Sequence, residues 1–63
     1  MVTIYTNPSC VACDQTKKAF DSAGVKYETK DLQSHPEALE AFLNKGYRAA
    51  PIVVTDTDEW SGF

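Results

Sequence analysis

The chain has 63 residues, a formal net charge of −3 and 43% hydrophobic residues, which together predict one small globular domain spanning residues 1–63. It contains no run of Lys or Arg that could follow a phosphate backbone, which argues against nucleic-acid binding. Its apolar runs are too short to cross a bilayer, and its N-terminus lacks the basic and apolar regions of a secretory signal. We therefore expect a cytoplasmic protein that binds neither nucleic acid nor membrane.

The first half of the chain predicts a strand, a helix and a second strand. Residues Val2–Thr6 alternate and are β-branched or aromatic, which favours a strand. From Val11 to Ala23 apolar residues recur at helical spacing, and Gly24 is a natural residue to end that helix. Residues Val25–Leu32 alternate again and predict a second strand. Two strands joined by one helix over so few residues should form a parallel pair with a right-handed crossover.

A second helix is predicted immediately after this strand. Ser34 and Glu37 fit a capping box, His35 belongs to the same cap, and Pro36 is tolerated in the first helical turn. Gly46 is expected to end the helix. The apolar stripe of this helix consists of Leu39, Phe42 and Leu43.

The C-terminal part of the chain predicts a β-hairpin. Residues Pro51–Thr55 form a short apolar run typical of a buried strand, residues 56–58 a tight turn, and Glu59 begins a fourth strand. The predicted order is β-α-β-α-β-β. We therefore expect an α/β fold with a four-stranded mixed sheet and helices on its faces.

The two cysteines of the chain, Cys10 and Cys13, lie where the first strand gives way to the first helix. Residues one helical turn apart have Cα atoms about 5 Å from each other, which is within range of a disulfide. The unpaired N–H groups and positive dipole end of a helix N-terminus favour a thiolate at Cys10. We therefore predict that Cys10 attacks a partner disulfide and that Cys13 resolves the mixed disulfide.

Two other interpretations of this cysteine pair are weaker. A zinc site normally needs four ligands, and His35 is the single histidine of the chain. A purely structural disulfide would close a very short loop and contribute little stability, and static disulfides are rare in the cytosol. This cysteine spacing beside a βαβ pattern is typical of a redox dithiol, which is the interpretation we favour.

The segments IYTNPSCVAC, AAPIVV and EWSGF together resemble the NrdH-type redoxins, which are glutaredoxin-like proteins of the thioredoxin superfamily. The resemblance extends over essentially the whole chain and implies a thioredoxin-like fold. It also implies a catalytic set of Cys10, Cys13 and a cis-proline at Pro51, with the backbone of Ala50 offered to an extended partner segment. The residues assigned to partner binding are Val11, Ala12, Arg48, Ala50, Trp60, Ser61, Gly62 and Phe63.

Three residues of that partner-binding set also have a plain structural interpretation. A single tryptophan in a small domain is more often a core residue, which applies to Trp60. Phe63 could equally pack inside. Arg48 could equally be an ordinary solvated arginine.

The resemblance implies a route for the electrons. In this family they come from NADPH through thioredoxin reductase, a flavoprotein, and they go to the active-site disulfide of a class Ib ribonucleotide reductase. The redox centre would then be the Cys10–Cys13 disulfide itself, and the chain would bind no metal, nucleotide or flavin of its own.

Two alternatives remain open at this point. The first is a glutathione-dependent glutaredoxin, but Asn7, the AAP stretch and the WSGF stretch stand where the related glutaredoxins carry glutathione-binding elements. The second is a redox-sensing regulator, since the YTNPSCVAC stretch also resembles the start of Spx-like proteins. Such regulators lack AAPIVV followed by WSGF at this spacing, and binding to a polymerase subunit without dithiol turnover would identify one.

The end of the chain departs from the family pattern. In the family, WSGF continues with Arg-Pro and a final helix that packs beside the first helix, whereas this chain stops at Phe63. We therefore expect a domain truncated at its C-terminus. It should be a monomer, unless an uncovered apolar flank leads to self-association.

Overall fold

A computed structural model of the chain describes residues 2–47 and 50–62. The predicted order of elements is confirmed, with a short 3-10 helix added at Leu32–Ser34. The helices and strands are β1 (Val2–Thr6), α1 (Val11–Ala23), β2 (Tyr27–Asp31), α2 (Pro36–Asn44), β3 (Ile52–Val54) and β4 (Glu59–Ser61). The second and third strands are thus shorter than predicted: Leu32 begins the 3-10 helix instead of ending β2, and β3 starts after Pro51.

The four strands form one mixed sheet in the order β2-β1-β3-β4. β1 pairs with β2 in parallel, from Val2 opposite Tyr27 to Thr6 opposite Asp31. β3 is antiparallel to both β1 and β4, and the last two strands form a hairpin. The predicted mixed sheet, parallel first pair and terminal hairpin are therefore confirmed.

One face of the sheet packs against α2. Tyr5 and Ile52 are directly opposite each other in neighbouring strands, so their side chains share this face. Leu32, Phe42 and Ile52 form its buried cluster, and the ring of Tyr5 meets that of Phe42 edge-on at 4.9 Å. Burying a side chain of this size contributes about 1.5–3 kcal/mol relative to leaving it exposed. This face is the closed core of the protein.

The opposite face lies beneath α1. Ile4 and Val53 are paired across the sheet and both have 0% of their surface exposed. Val53 also pairs with Trp60, which borders a groove together with Phe20 of α1. Because alternate strand residues point to opposite faces, Ile4, Val53 and Trp60 all lie on the α1 side. The centre of this face is buried and its β4 margin is open.

The end of α1 follows the expected geometry. Gly24 has a φ of 72°, in the left-handed region that favours glycine. Its N–H donates to the carbonyl oxygen of Asp21, and the N–H of Val25 donates to that of Phe20. This pair of hydrogen bonds is a Schellman motif, so Gly24 ends the helix as predicted.

The predicted capping box at the start of α2 is wrong. Asp31 begins a 3-10 helix instead, and its carboxylate accepts a hydrogen bond from the N–H of Gln33 at 2.8 Å. Ser34 therefore lies within that 3-10 helix. His35 instead takes the N-cap position of α2, without a side-chain hydrogen bond to the helix. The Nδ1–H of His35 donates to the carbonyl oxygen of Asp31 at 3.0 Å. Pro36 occupies the first helical position, as predicted.

The predicted apolar stripe of α2 also needs one correction. Leu39 and Phe42 pack into the core, together with Ala38. Leu43 is 50% exposed, because it lies at the margin of the apolar face rather than at its centre. None of the helices in the described part of the chain has the length and apolar character needed to span a bilayer.

Candidate redox site

The two cysteines are placed by the start of α1. Cys10 is the N-cap residue, with an extended backbone, and Cys13 lies in the first turn. They form a disulfide, with their Cα atoms 5.2 Å apart. The backbone N–H of Cys13 donates to the sulfur of Cys10 at 3.1 Å, so the sulfur takes the role that a capping oxygen usually has. An N–H aimed at this sulfur stabilises negative charge on it once the disulfide is reduced.

The two cysteines differ in exposure. Cys13 is 1% exposed and lies against the sheet, whereas Cys10 is only partly buried. Val11, between them, is 71% exposed and projects from the surface beside the disulfide. Ala12 is half-buried. A partner protein can therefore approach Cys10 and Val11, while Cys13 faces inward.

A tight turn delivers Cys10 to the edge of the sheet. β1 ends at Thr6, and Asn7 and Pro8 then form an exposed turn. Ser9 has a φ of 57°, a left-handed conformation that non-glycine residues rarely adopt. This turn reverses the chain directly after the central strand, so Cys10 lies at the edge where β1 ends.

Pro51 lies at that same edge. Tyr5 pairs with Ile52 in the antiparallel β1–β3 ladder, so the next register position places Pro51 beside Thr6. The Ala50–Pro51 peptide bond is cis, as the resemblance implied, and Pro51 is fully buried. The topology thus brings the proline loop and the cysteine turn together, although they are far apart in the sequence.

The end of β4 completes this edge. The N–H of Gly62 donates to the carbonyl oxygen of Pro51 at 2.8 Å. Gly62 has a φ of 83°, so a residue with a side chain would be strained there. Ser61 and Ala50 are both half-buried, and Ala50 also packs against the core cluster. The edge therefore combines residues from three separate parts of the chain.

A groove of about 440 Å³ extends from this edge between α1 and β4. Its lining residues are Thr16, Ala19, Phe20, Trp60, Ser61 and Gly62. Trp60 is 41% exposed, so it is not a core residue. Thr16 is 5% exposed, and its hydroxyl donates to the carbonyl oxygen of Ala12 at 3.0 Å. The groove presents an apolar wall next to the redox site.

Two predicted partner-binding residues, Arg48 and Phe63, lie outside the described residues. The other predicted residues lie at the edge of the sheet or in the groove, and Ser61 and Gly62 belong to both. Within residues 2–47 and 50–62, no cluster of His, Cys, Asp or Glu could bind a metal ion. The chemistry that the described residues support is dithiol exchange.

One polar cluster, at the end of β4 opposite the redox edge, was missed by the sequence reasoning. Lys45 contacts the carboxylate of Glu59, with its Nζ atom 3.0 Å from Oε2 and 3.3 Å from Oε1. Partial burial, followed by a hydrogen bond to Glu59, raises the pKa of Tyr47 above its ordinary value. We call Lys45, Tyr47 and Glu59 the Glu59 cluster. The Lys45 and Glu59 positions are 14 apart in sequence, so no local pattern signals their contact.

Comparison with known proteins identifies the family. The family model for glutaredoxin matches residues 2–60. The chain is 40% identical to the glutaredoxin-like protein NrdH of Escherichia coli K12 over 62 residues, which cover 98% of this chain and 76% of that protein. It is 32% identical to the NrdH protein of Lactococcus lactis subsp. lactis, covering 100% of this chain and 88% of that one.

Solved structures agree with this assignment. The structure of NrdH-redoxin from E. coli, described as a basis for its thioredoxin-like activity profile, superposes with a TM-score of 0.92 at 40% identity, covering 98% of this chain and 82% of that chain. A glutaredoxin from Archaeoglobus fulgidus, at 19% identity and a TM-score of 0.77, covers 98% of this chain and 74% of that chain and shares the fold. The chain therefore belongs to the glutaredoxin family, as an NrdH-type thiol–disulfide redox protein whose redox pair is Cys10 and Cys13.

Proposed function

We propose that this protein is a cytoplasmic electron carrier, reduced by thioredoxin reductase, that reduces the active-site disulfide of a class Ib ribonucleotide reductase. The observation that supports it most is the asymmetry of the dithiol. The accessible Cys10 sulfur accepts a backbone N–H, while Cys13 is 1% exposed. An accessible, stabilised sulfur suits attack on a partner, and a buried one suits resolution within the protein.

The exchange balances without any bound cofactor. The Cys10 thiolate attacks one sulfur of the partner disulfide, that disulfide breaks, and the leaving partner thiolate takes up a proton. The Cys13 thiol then loses its proton and attacks the Cys10 sulfur, which releases the second partner thiol. One disulfide has formed for the one broken. Two electrons and two protons from the reductase, which draws on NADPH through its flavin, restore the dithiol.

The surroundings of the dithiol suit a protein partner. Pro51 borders the cysteine turn through the β1–β3 register, and in our proposal the backbone of Ala50 pairs with an extended partner segment in the manner of an added strand. Val11, 71% exposed, and Trp60, 41% exposed, offer apolar contacts on either side. Ala12, Ser61 and Gly62 complete the proposed contact surface. Arg48 and Phe63 keep the partner-binding role expected from the sequence.

The choice of reductase rests on what replaces the glutathione-binding elements. Asn7 stands in an exposed turn where a basic residue would assist glutathione, and AAP and WSGF replace the other two elements. The E. coli relative is described as having a thioredoxin-like activity profile. Thioredoxin reductase is therefore the electron source we propose. The match to the glutaredoxin family model makes glutathione-dependent reduction the second candidate.

A coupled assay separates these two candidates. NADPH oxidation is followed with insulin as acceptor and thioredoxin reductase as the electron source. In parallel, it is followed with glutathione and glutathione reductase acting on a small mixed disulfide. We expect turnover with thioredoxin reductase, its loss in Cys10→Ser, and background rates with glutathione. Turnover with glutathione alone would contradict the proposal and favour the glutaredoxin.

A second assay tests the proposed acceptor. Class Ib ribonucleotide reductase is supplied with thioredoxin reductase, NADPH and either this protein or its Cys10→Ser variant. We expect deoxyribonucleotide formation with the wild-type protein alone. Reduction of insulin without support of the ribonucleotide reductase would contradict the acceptor while leaving the reductase assignment intact.

A further inference from the structure

The segment that leads from α2 to Pro51 is held at both ends by one stretch of chain. At its start, the Nζ atom of Lys45 lies 3.0 Å from the Glu59 carboxylate on β4, and Glu59 also raises the pKa of Tyr47. At its end, the carbonyl oxygen of Pro51 accepts a hydrogen bond from the N–H of Gly62, directly after β4. The stretch from Glu59 to Gly62 therefore determines where this segment begins and where it joins β3.

Glu59 is well placed to hold the start of the segment. It is fixed in the β3–β4 ladder opposite Val54, and its side chain is 25% exposed, against 54% for Lys45. Both of its partners also contact the core: the Nζ atom of Lys45 is 5.8 Å from the Phe42 ring centre, and the Tyr47 ring is 6.1 Å from it. A partly buried acceptor beside two residues that also border the core orders its surroundings more than an isolated surface ion pair does.

We propose that Glu59 is a positioning residue for Ala50 and Pro51. It acts by fixing Lys45 and Tyr47, and Tyr47 packs against the same core cluster as Ala50. Ala50 is where we propose that the partner backbone pairs, so holding it in place lets a protein disulfide bind more tightly because less ordering remains to be done on binding. The expected effect of Glu59 on affinity rests on the proposed function. Its expected effect on the order of Tyr47 and Ala50 does not.

The expected effect is modest and selective. Partly exposed ion pairs contribute about 0.2–1 kcal/mol, which corresponds to a change of up to about fivefold in KM. Loss of the Glu59 carboxylate should therefore raise KM for a protein partner about twofold to fivefold. The kcat should stay unchanged, because the cysteines keep their helix-start geometry. The rate with a small disulfide such as Ellman's reagent should also stay unchanged, because that disulfide has no backbone to pair with Ala50.

The test compares Glu59→Ala, Glu59→Gln and Glu40→Gln. Glu40 is an exposed residue of α2, so Glu40→Gln changes the net charge equally without touching the Glu59 cluster. KM and kcat are measured for each oxidised protein as a substrate of thioredoxin reductase. We expect the largest KM for Glu59→Ala. Glu59→Gln should be intermediate, because the amide oxygen still accepts a hydrogen bond from Lys45 but the opposite charge is lost, and Glu40→Gln should match wild type. Equal KM values for Glu59→Ala and Glu40→Gln would overturn the proposal.

A measurement on the protein alone tests the positioning role of Glu59 independently of the proposed function. Amide hydrogen exchange is compared at Tyr47 and Ala50 and, as an internal control, at Ile4 and Val53. We expect faster exchange in Glu59→Ala at Tyr47 and Ala50 alone. Wild-type exchange at Ala50 would overturn the positioning role, as would faster exchange throughout the core. If thioredoxin reductase does not reduce the wild-type protein, the proposed function fails and this exchange result decides the role of Glu59 by itself.

Discussion

The two faces of the sheet differ in how completely they bury their apolar residues. On the α2 face, Leu32, Phe42 and Ile52 are all less than 10% exposed and form a closed cluster. On the α1 face, Ile4 and Val53 are buried at the centre, but Trp60 at the β4 margin is 41% exposed. The closed face contains no part of the dithiol, whereas the open face carries Cys13 and borders the groove. Apolar side chains therefore close the core on one face, whereas on the other face a large aromatic side chain stays accessible at the margin.

The largest expected effect is on the α2 face. Phe42→Ala removes a ring that contacts Tyr5 and Tyr47 and leaves a cavity, so it should lower the free energy of unfolding by about 3–5 kcal/mol. Urea denaturation measures the loss. Leu43→Ala, on the same helix but 50% exposed, is the matched control and should change stability by about 0.5 kcal/mol or less. Similar losses for both variants would remove the distinction between a closed core and its margin.

Trp60→Ala should affect partner binding more than stability. Because Trp60 is 41% exposed, its loss should lower the free energy of unfolding by only about 1 kcal/mol. If it anchors a partner, KM for thioredoxin reductase should rise about tenfold, as for an aromatic residue at the centre of an interface. Denaturation and steady-state kinetics on the same preparation give both numbers. A large loss of stability with an unchanged KM would make Trp60 a structural residue.

Much of this architecture follows from local sequence. Strand alternation, helical spacing and Gly24 predict the element order, and Cys10 and Cys13 predict the redox pair. The N-cap of α2 was mispredicted at Ser34 because the Asp31 side chain forms a competing 3-10 turn, which a capping pattern does not reveal.

Composition and spacing say least where distant parts of the chain meet. The open position of Trp60 depends on how far α1 covers the β4 margin; composition alone favours burial of a single tryptophan, and only the family resemblance assigned Trp60 to the partner-binding set. The Glu59 cluster joins residues 14 apart, so it depends on tertiary packing rather than on a local pattern. Residues that meet only through the sheet register cannot be paired from spacing alone.

Thr16 provides a smaller test of the α1 face. Its hydroxyl is buried and donates to the carbonyl oxygen of Ala12, within the turn that contains Cys13. Thr16→Val keeps the shape and removes the hydrogen bond, so it should lower the free energy of unfolding by about 1 kcal/mol. Thr16→Ser, which keeps the hydroxyl, is the control. Unchanged stability in Thr16→Val would contradict a stabilising role for this hydrogen bond.

The smallest expected effect is a pH dependence at Tyr47. Partial burial and the hydrogen bond to Glu59 raise its pKa above the ordinary value of 10.0. A raised pKa means that the fold favours the neutral hydroxyl. This stabilisation is present below the ordinary pKa and is lost as pH rises through the higher folded value. The Tm of wild type should therefore fall more than that of Tyr47→Phe between about pH 8 and about pH 11. Parallel Tm curves for the two proteins would contradict the shift.

The central claim is that the two cysteines have different tasks, and alkylation of the reduced protein tests it most directly. The dithiol is reduced, treated briefly with limiting iodoacetamide, and the labelled cysteine is identified by peptide mass spectrometry. Because Cys13 is 1% exposed and Cys10 is more accessible with a sulfur that accepts an N–H, Cys10 should carry nearly all of the early label. Equal labelling of both cysteines, or faster labelling of Cys13, would contradict the account.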